Sequence, residues 1–265
     1  MQLPHQVMIV TGASRGIGAE LARQLAERYG NKLALVLAAR DEEGLQTVAL
    51  ACKQFGAATL IVKADISAES HCRQIISETL EHFGSIDVLV NCAGRFLYES
   101  LLESEHLANA QDVMRCNFWG SVWCAQAALP HLINSRGRLV CIAAHFRSKD
   151  LPGRSAYYAS KQALVQYFQT LALELSSSGM QVSLVYPDVV ATRNRQLDLL
   201  ASGLKKAPRA ISAQECARQI LIGIEARQPE ILVNHHWRPL RWLPKYYQQL
   251  QQVLKLPHWR RDLGV

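Results

Sequence analysis

The sequence has no long hydrophobic run, and its longest, Leu33–Ala39, spans seven residues. A membrane-spanning helix needs about 20 such residues, so we expect none. The apolar stretch nearest the N-terminus, Val7–Val10, is much shorter than the hydrophobic region of a secretory signal. We therefore expect a cytoplasmic protein that is not exported.

Closely spaced cysteine pairs are also missing. The seven cysteines are scattered, and none belongs to a Cys-x-x-Cys pair. Zinc sites and dithiol redox motifs depend on such pairs. The sequence therefore predicts no metal site and favours reduced, buried cysteines in a cytosolic protein.

Charged residues are few, at 19% against 49% hydrophobic residues. This balance excludes a disordered chain and indicates a globular one. A chain of 265 residues can form one large α/β domain or two small ones.

The C-terminal segment differs in composition from the rest. From Ile231 onward six basic residues stand against one acid, and three of the five tryptophans lie there. We predict a basic aromatic extension over 234–265 that packs on the preceding domain or on a partner subunit. It could instead form an amphipathic helix on an anionic membrane surface. No nucleic-acid-binding motif accompanies the charge, so we expect no nucleic-acid partner.

Before residue 234, short apolar runs alternate with longer stretches that have the apolar spacing of helices. The runs predict strands at Gln6–Val10, Leu33–Ala38, Thr59–Val62, Ile86–Val90, Arg138–Ile142, Val182–Tyr186 and Ile231–Val233. The longer stretches predict helices at Gly16–Tyr29, Glu42–Phe55, Ala68–Phe83, Glu105–Ile133, Ala156–Ser177 and Ala213–Ala226. Strands that are apolar on both faces suit a parallel sheet covered by helices. The pattern predicts one α/β domain over 1–233, a Rossmann-type doubly wound parallel sheet of about seven strands with helices on both faces.

A glycine-rich turn follows the first strand. Residues 11–18 read Thr-Gly-Ala-Ser-Arg-Gly-Ile-Gly and lead directly into the first predicted helix. Glycines allow a tight turn and a close approach of the backbone to a pyrophosphate, and the helix N-terminus presents free N–H groups to it. In this position the turn predicts a dinucleotide site.

The spacing of this turn resembles that of the short-chain dehydrogenase/reductase family, and further motifs follow in the family's order. They are Asp65-Ile66, Asn91-Cys92-Ala93-Gly94, Asn117, Tyr157-x-x-x-Lys161 and Pro187 through Thr192. The resemblance covers residues 6 to about 233 and implies an oxidoreductase. The cofactor-binding residues that we predict are Gly12, Ser14, Arg15, Gly16, Ile17, Gly18, Arg40, Asp65, Ile66, Asn91, Ala93, Gly94, Tyr157, Lys161, Val190 and Thr192.

Two arginines indicate which dinucleotide binds. Arg40 ends the second predicted strand, and Arg15 precedes the second glycine of the turn. A ribose 2′-hydroxyl is best met by a carboxylate, whereas a 2′-phosphate needs cations, and arginine can grip phosphate bidentately. The pair favours NADP(H). Asp41, one position later, is expected to cap the next helix.

Tyr157 and Lys161 lie four residues apart and share a face of a predicted helix. Ketone reduction needs a proton for the nascent alkoxide, and a free tyrosine, with a pKa of about 10, releases its proton too reluctantly at neutral pH. A nearby ammonium favours the phenolate. The resemblance implies that Tyr157 is the general acid/base, that Lys161 also holds the nicotinamide ribose, and that Asn117 anchors a water of the proton relay.

Two positions depart from the family pattern. The catalytic serine, expected 13 residues before the tyrosine, is replaced by Ala144, and the glycine usual beside the nicotinamide is replaced by Asp188. Loss of one donor to the developing charge typically costs ~10²–10³ in rate. His145 or Ser148 could supply a donor, or they could be ordinary packing and surface residues.

Residues 189–212 are expected to cover the substrate. Their leucines favour a hydrophobic carbonyl or alcohol as the small-molecule substrate, although they also fit an ordinary amphipathic helix. The predicted helices Glu105–Ile133 and Ala156–Ser177 resemble those of the family's four-helix dimer interface. The resemblance therefore implies a homodimer or homotetramer.

Two functions stay open on the sequence. The first is an NADP(H)-dependent oxidoreductase that interconverts a ketone or aldehyde and an alcohol on a hydrophobic substrate, which the intact Tyr157, Lys161 and Asn117 favour. The second is a catalytically weakened NADP(H)-binding pseudoenzyme, a sensor or scaffold, which Ala144 and Asp188 favour.

Overall fold

Nine strands are present in the computed structural model, which describes residues 6–100, 102, 106–144, 153–187, 190–191 and 210–233. They are β1 (Gln6–Thr11), β2 (Leu33–Ala39), β3 (Ala58–Lys63), β4 (Val88–Asn91), β5 (Arg138–Ile142), β6 (Gln181–Pro187), β7 (Val190–Ala191), β8 (Ile211–Ser212) and β9 (Glu230–Val233). Seven of them form one parallel sheet in the order β3-β2-β1-β4-β5-β6-β9. The other two, β7 and β8, pair with each other.

Helices connect successive strands of the large sheet. They are α1 (Gly16–Tyr29), α2 (Glu42–Gln54), α3 (Glu69–Phe83), α4 (His106–Met114), α5 (Gly120–Asn134), α6 (Ser155–Glu174) and α7 (Ala213–Glu225). A short 3-10 turn, Gly30–Lys32, and a π-helical stretch, Arg115–Trp119, complete the described helical residues. The prediction of a doubly wound α/β fold with a seven-stranded parallel sheet is confirmed.

Two hydrophobic cores lie on opposite faces of the sheet because side chains alternate along each strand. In β1, Val7 and Ile9 pack into the core formed with α3, α5 and α6. Met8 and Val10 pack into the core formed with α1, α2 and α7. Because these strands are buried on both faces, their sequences are continuous apolar runs and do not alternate between polar and apolar residues.

The strand order reverses at β1. This strand pairs with β2 on one side and with β4 on the other, so that Val10 lies between Leu37 and Val90. In open α/β sheets, ligands bind at the carboxyl ends of the strands where the order reverses. The glycine-rich turn that follows β1 lies at this point.

The helix expected over Glu105–Ile133 is observed as one continuous run of helical residues from His106 to Asn134. Its described part divides into α4, the π-helical stretch Arg115–Trp119 and α5. A π-helical turn adds a residue to the helix without ending it, and the apolar spacing on either side continues. The sequence pattern therefore could not separate the three segments, although the widened turn is what carries Asn117.

Local capping residues explain two of the helix starts. Asp41 precedes α2 and accepts a hydrogen bond from the backbone N–H of Gly44 at 3.1 Å, which confirms its expected capping role. Ser212 precedes α7 and accepts from the N–H of Glu215 at 3.0 Å. Each cap satisfies one N–H that the first turn of a helix leaves without an internal partner.

Several predicted features lie outside the described residues. They are the extension over 234–265, most of the segment 189–212, and the positions of His145, Ser148, Asp188 and Thr192. Within the described ranges, no helix is both long enough and apolar enough to cross a membrane. The same ranges contain no group of three or more His, Cys, Asp or Glu side chains arranged to hold a metal ion.

Candidate active site

The glycine-rich turn between β1 and α1 is packed tightly against the end of β4. Gly12 has a φ of +69°, and its N–H donates to the Ala38 carbonyl at 2.8 Å. A Cβ on Gly12 would lie 2.7 Å from the Ala93 Cα, and one on Gly18 would collide with the Gly12 carbonyl oxygen. Only glycine fits these two positions, and the turn leaves the N-terminus of α1 at the sheet's carboxyl edge.

Thr11, which the sequence reasoning did not single out as a site residue, links this turn to the motif after β4. Its buried hydroxyl accepts hydrogen bonds from the N–H groups of Cys92 and Ala93, both at 3.1 Å. The same hydroxyl donates to the Val90 carbonyl at 3.3 Å. The Thr11 side chain therefore fixes the glycine-rich turn relative to the motif after β4.

The other predicted cofactor-binding residues of the turn lie next to one another, and Val190 belongs to the segment expected to cover the substrate. Gly16 has a φ of +61° and begins α1, while Ser14 and Ile17 are half-buried beside it. Val190 is buried in β7 and pairs with Ile211 of β8. The turn residues are adjacent at the α1 N-terminus, whereas the contribution of Val190 to a cofactor site stays a prediction.

Two exposed arginines flank the ends of β1 and β2. Arg15 occupies the N-cap position of α1 in an extended backbone conformation, with φ −161° and ψ 169°, and its side chain makes no capping hydrogen bond. The guanidinium of Arg40 lies 3.7 Å from the Asp65 carboxylate, in an ion pair that leaves the arginine side chain mostly in solvent. An exposed pair of this kind contributes little to stability, so the Arg40 guanidinium is available to an anionic ligand.

Asp65 and Ile66 form the turn after β3. The Asp65 carboxylate accepts from the N–H of Ser67 at 3.0 Å, which fixes the turn. Ile66 is buried, and a Cβ added at Gly120 would lie 2.5 Å from its carbonyl oxygen. The glycine that begins α5 therefore lets that helix approach the Asp65-Ile66 turn closely.

Asn91 ends β4, but its side chain is buried behind the cleft. The amide nitrogen donates to the Ser121 carbonyl of α5 at 2.9 Å. In this position Asn91 sets the spacing between β4 and α5. Its direct contact with a cofactor stays a prediction.

Asn117 is fully buried in the π-helical stretch and is held at both ends of its amide. Its Oδ1 accepts from the Arg95 N–H at 2.7 Å, and its Nδ2 donates to the Arg95 carbonyl and to Ser160 Oγ, both at 2.9 Å. The Ser160 hydroxyl donates in turn to the Tyr157 carbonyl at 2.7 Å. Ser160, a residue that no sequence spacing indicated, thus links the Asn117 side chain to the backbone of Tyr157.

Lys161 is buried, with 5% of its surface exposed, and its ammonium donates to the Ile142 carbonyl at 2.6 Å. Burial lowers the pKa of this lysine. The nearby thiols cannot neutralise the ammonium, because burial raises the pKa of both Cys92 and Cys141 to about 12. A Cβ on Gly94 would lie 3.6 Å from the Lys161 Nζ and 3.3 Å from the side-chain Oδ1 of Asn117. Gly94, Asn117 and Lys161 therefore meet at one point.

Tyr157 lies in the first turn of α6 and is half-buried among aromatic rings. Its ring centroid is 4.7 Å from that of Phe96 and 5.7 Å from that of Tyr158. The guanidinium carbon of Arg154 lies 5.2 Å from the Phe96 ring centroid, a cation–π arrangement. This aromatic cluster limits water around the phenol ring without burying it completely.

Ala144 stands at the carboxyl end of β5, at the position of the missing serine. It is buried, with 9% of its surface exposed, and its methyl group offers no hydrogen-bond donor. The preceding residue, Ala143, is bound into the sheet through its N–H, which donates to the Val185 carbonyl at 2.9 Å. The structure therefore agrees with the sequence that this position has lost its donor.

The glycine-rich turn lies where the strand order of the doubly wound sheet reverses, and a buried lysine lies nearby, one helical turn after a tyrosine. Together these features define a dinucleotide-dependent class of protein. The model of the short chain dehydrogenase family matches residues 6–199, and the chain belongs to that family. This confirms the resemblance and makes the chain a short-chain-type oxidoreductase.

The relatives and solved structures that match the chain are consistent with this assignment. An Arabidopsis thaliana protein named 11-beta-hydroxysteroid dehydrogenase-like 4A is 34% identical over 242 residues, which are 90% of this chain and 79% of the relative. A Pinus massoniana 11-beta-hydroxysteroid dehydrogenase is 35% identical over 82% of this chain and 64% of its own length. A metagenomic short-chain oxidoreductase, solved in complex with NADP, matches with a TM-score of 0.72 and 29% identity over 87% of this chain and 97% of that one.

Proposed function

We propose that this protein is an NADP(H)-dependent oxidoreductase that interconverts a ketone or aldehyde and the corresponding alcohol on a hydrophobic substrate, with Tyr157 as the general acid/base. The observation that carries the proposal is the buried ammonium of Lys161, which lies one helical turn after Tyr157. This ammonium and the Oδ1 of Asn117 both lie next to Gly94. The coenzyme supplies or accepts the hydride when bound.

The residues at the cleft fit a phosphorylated dinucleotide. Gly12 and Gly18 leave no space for a Cβ, so the backbone of the turn is shaped for close approach and the α1 N-terminus is open to a pyrophosphate. The exposed guanidiniums of Arg15 and Arg40 provide the cations that a 2′-phosphate needs. The match to a solved oxidoreductase in complex with NADP supports the same coenzyme.

The proton chemistry rests on the electrostatics of Lys161. No carboxylate forms an ion pair with this ammonium among the described residues, and the ammonium donates a hydrogen bond to the neutral Ile142 carbonyl. A buried positive charge in this position is stabilised by any nearby anion. Ionisation of the Tyr157 phenol would provide that anion, so the lysine favours loss of the phenolic proton and its return to an alkoxide.

The hydrophobic nature of the substrate has two supports. Phe96, Tyr157 and Tyr158 form an aromatic cluster beside the site. The relatives named above are designated as hydroxysteroid dehydrogenases, and steroids are bulky, largely apolar molecules. We propose the same broad class here, a large apolar carbonyl or alcohol, without extending the steroid itself to this chain.

The experiment compares Tyr157→Phe with Tyr158→Phe on a panel of apolar ketones with NADPH. Tyr158 is the adjacent tyrosine in the same aromatic cluster, so the control removes the same atom at a neighbouring position. We expect Tyr157→Phe to lower kcat by at least ~10² and Tyr158→Phe to retain most activity. Equal activity in wild type and Tyr157→Phe would exclude this mechanism.

A second candidate, an NADP(H)-binding pseudoenzyme, is favoured by one observation. Ala144 presents a buried methyl group where the family has a donor hydroxyl. Its test is Ala144→Ser. An inert wild type whose Ala144→Ser variant turns over would support the pseudoenzyme, whereas brisk turnover by the wild type would eliminate it.

We also propose that two copies of the chain associate through α5 and α6, as a homodimer or part of a homotetramer. Trp119, which precedes α5, is 47% exposed, and Leu173 of α6 is 76% exposed. Trp119 stacks on Trp123 at 6.1 Å, and Tyr167 contacts Phe118 at 5.7 Å. An aromatic face of this kind in solvent is typical of an interface. Light scattering of Trp119→Ser and Leu173→Ser variants should show a smaller species than wild type.

The proposed location is the cytoplasm. All seven cysteines are free thiols, which suits a reducing compartment. Fractionation of cells that produce the protein checks the location directly. Recovery in an oxidising compartment would contradict it.

A further inference from the structure

A second cavity lies at the opposite end of the sheet from the glycine-rich turn. It has a volume of about 260 Å³ and is lined by the residues at the amino ends of β1, β4 and β5 and by the adjoining turns. We call it the basal cavity; its charged and phenolic lining residues are Tyr29, Lys32, Asp87, Arg136, Arg138 and Arg227. None of them belongs to the site described above.

The charges that line the basal cavity are unbalanced. Four are cations and one is an acid, and the Asp87 carboxylate already accepts from the Val7 N–H at 2.7 Å. None of the four cations forms an ion pair with any residue that the structure describes. Glu225, which interacts electrostatically with Arg138, is hydrogen-bonded to Arg28 and Tyr29. The described lining therefore carries more positive than negative charge, and Asp87 and Glu225 offset only part of it.

Two of the arginines occupy unusual backbone positions. Arg136 follows α5 with a φ of 48°, and Arg227 follows α7 with a φ of 50°. The residue after a helix often adopts this left-handed conformation, but it is usually glycine, because a side chain is strained there. Here arginine occupies both positions, and the two helices end beside the same cavity. This arrangement indicates that the cationic side chains have a function at the cavity.

Attraction to helix C-termini accounts for part of the cluster. A cation near the end of a helix is favourable, and this applies to Arg136 and Arg227. Arg138 lies in β5, where it is half-buried, and its guanidinium donates to the Ile224 carbonyl in the last turn of α7, so it also satisfies a helix C-terminus. Burial and the neighbouring Arg227 lower its pKa, whereas Tyr29 and Glu225 raise it, and the net shift is downward. A further anion would therefore stabilise this guanidinium.

We infer that the basal cavity binds a small phosphate-bearing anion. Arginine forks recognise phosphate oxygens bidentately, and three arginines and one lysine surround the space. The volume is slightly below the roughly 300 Å³ at which pockets for drug-sized ligands begin, so the cavity suits a phosphorylated small molecule and is too small to enclose a dinucleotide. The occupant is therefore distinct from the coenzyme.

The test is a calorimetric titration of the full chain with inorganic phosphate at constant ionic strength, in the presence of saturating NADP+ to block the phosphate contacts of the cofactor cleft. Asparagine tolerates the left-handed conformation, so Arg136→Asn and Arg227→Asn remove charge while keeping the backbone. Arg73→Asn, on the exposed face of α3, is the charge-matched control. If an asparagine variant does not fold, Arg136→Gly or Arg227→Gly takes its place.

We expect one saturable phosphate site that is still observed in the presence of NADP+. The affinity for phosphate should fall about tenfold in Arg136→Asn and in Arg227→Asn. It should change less than twofold in Arg73→Asn. Absence of saturable binding, or binding that NADP+ removes, would overturn the proposal. Equal affinity in wild type and both basal variants would do the same. A lipid source of the phosphate group is tested with phosphatidylcholine vesicles that contain phosphatidic acid; vesicle binding that free phosphate does not compete with would also overturn it.

Discussion

The side-chain amide of Asn117 donates to the hydroxyl of Ser160 at 2.9 Å, and both side chains are fully buried. Asn117 lies in the π-helical stretch before α5, whereas Ser160 lies in α6 between Tyr157 and Lys161. One hydrogen bond thus ties the widened turn to the helix that carries both proposed proton-transfer residues. Because Ser160 also donates to the Tyr157 carbonyl, it is a positioning residue for the first turn of α6.

Ser160→Ala should therefore affect catalysis as well as stability. The change removes a buried hydroxyl that makes two hydrogen bonds, so we expect the free energy of unfolding to fall by about 1–3 kcal/mol. We also expect kcat to fall roughly tenfold, through misplacement of Tyr157, with the KM for NADPH nearly unchanged. Denaturant unfolding and steady-state kinetics measure the two effects.

A second buried serine provides the control for this prediction. Ser183 lies in β6 and donates to the Gln228 carbonyl at 2.8 Å, away from the cleft. Ser183→Ala should lose comparable stability with no change in kcat. If both variants keep wild-type kcat, the link through Ser160 has no catalytic role.

Replacement of Arg40 should change coenzyme preference more than coenzyme binding in general. A hydrogen-bonded contact to a charged group is worth about 1.5–3 kcal/mol, so Arg40→Ala should raise the KM for NADPH ten- to a hundredfold. The KM for NADH, which has no 2′-phosphate, should stay within about twofold. The control is Lys63→Ala, a neighbouring cation at the end of β3 that is ion-paired with Glu42 at 3.2 Å. An equal rise of both KM values in Arg40→Ala would place the arginine away from the 2′-phosphate.

The fold could be predicted from the sequence because the strands are buried on both faces. Runs such as Leu33–Ala38 differ from the observed β2 by a single residue, and the glycine-rich turn and Asp41 fell at the expected ends of elements. Such features are local: each depends on a few consecutive residues and their burial. For this reason the order of elements and most of their boundaries were accessible without coordinates.

The interior of the site was less accessible, because it is formed by contacts between distant segments. The bond between Asn117 and Ser160 spans 43 residues, and the bonds from Cys92 and Ala93 to Thr11 span 81 and 82. No spacing in a single sequence encodes such pairings. The π-helical stretch was missed for a related reason, since its extra residue leaves the apolar pattern of the helix intact.

Two glycines with similar positive φ values allow the cost of a steric contact to be separated from the cost of backbone strain. Gly12 has a φ of +69° and Gly84 a φ of +78°, but a Cβ on Gly84 would meet nothing within 4 Å. Gly84→Ala should cost only the left-handed strain of about 1–2 kcal/mol and leave activity intact. Gly12→Ala adds a contact of 2.7 Å with the Ala93 backbone, so it should cost more and abolish NADPH binding. Thermal unfolding and fluorescence titration with NADPH measure these effects, and equal behaviour of the two variants would contradict the packing at Gly12.

The buried charge of Lys161 should appear in the pH dependence of stability. Its pKa is lowered by burial from its ordinary value of 10.5, so between the folded and unfolded pKa values the unfolded chain binds more protons than the folded one. In that window stability rises with pH. Wild type should therefore gain stability relative to Lys161→Met as the pH is raised from 7 towards about 10.5, while the variant loses activity at every pH. The control is Lys53→Met, which removes the same charge from an exposed position in α2. Chemical denaturation across this pH range measures the free energy of unfolding. If the difference between wild type and Lys161→Met stays constant with pH, the ammonium is solvated in the folded protein. That result would remove the electrostatic basis for activation of Tyr157.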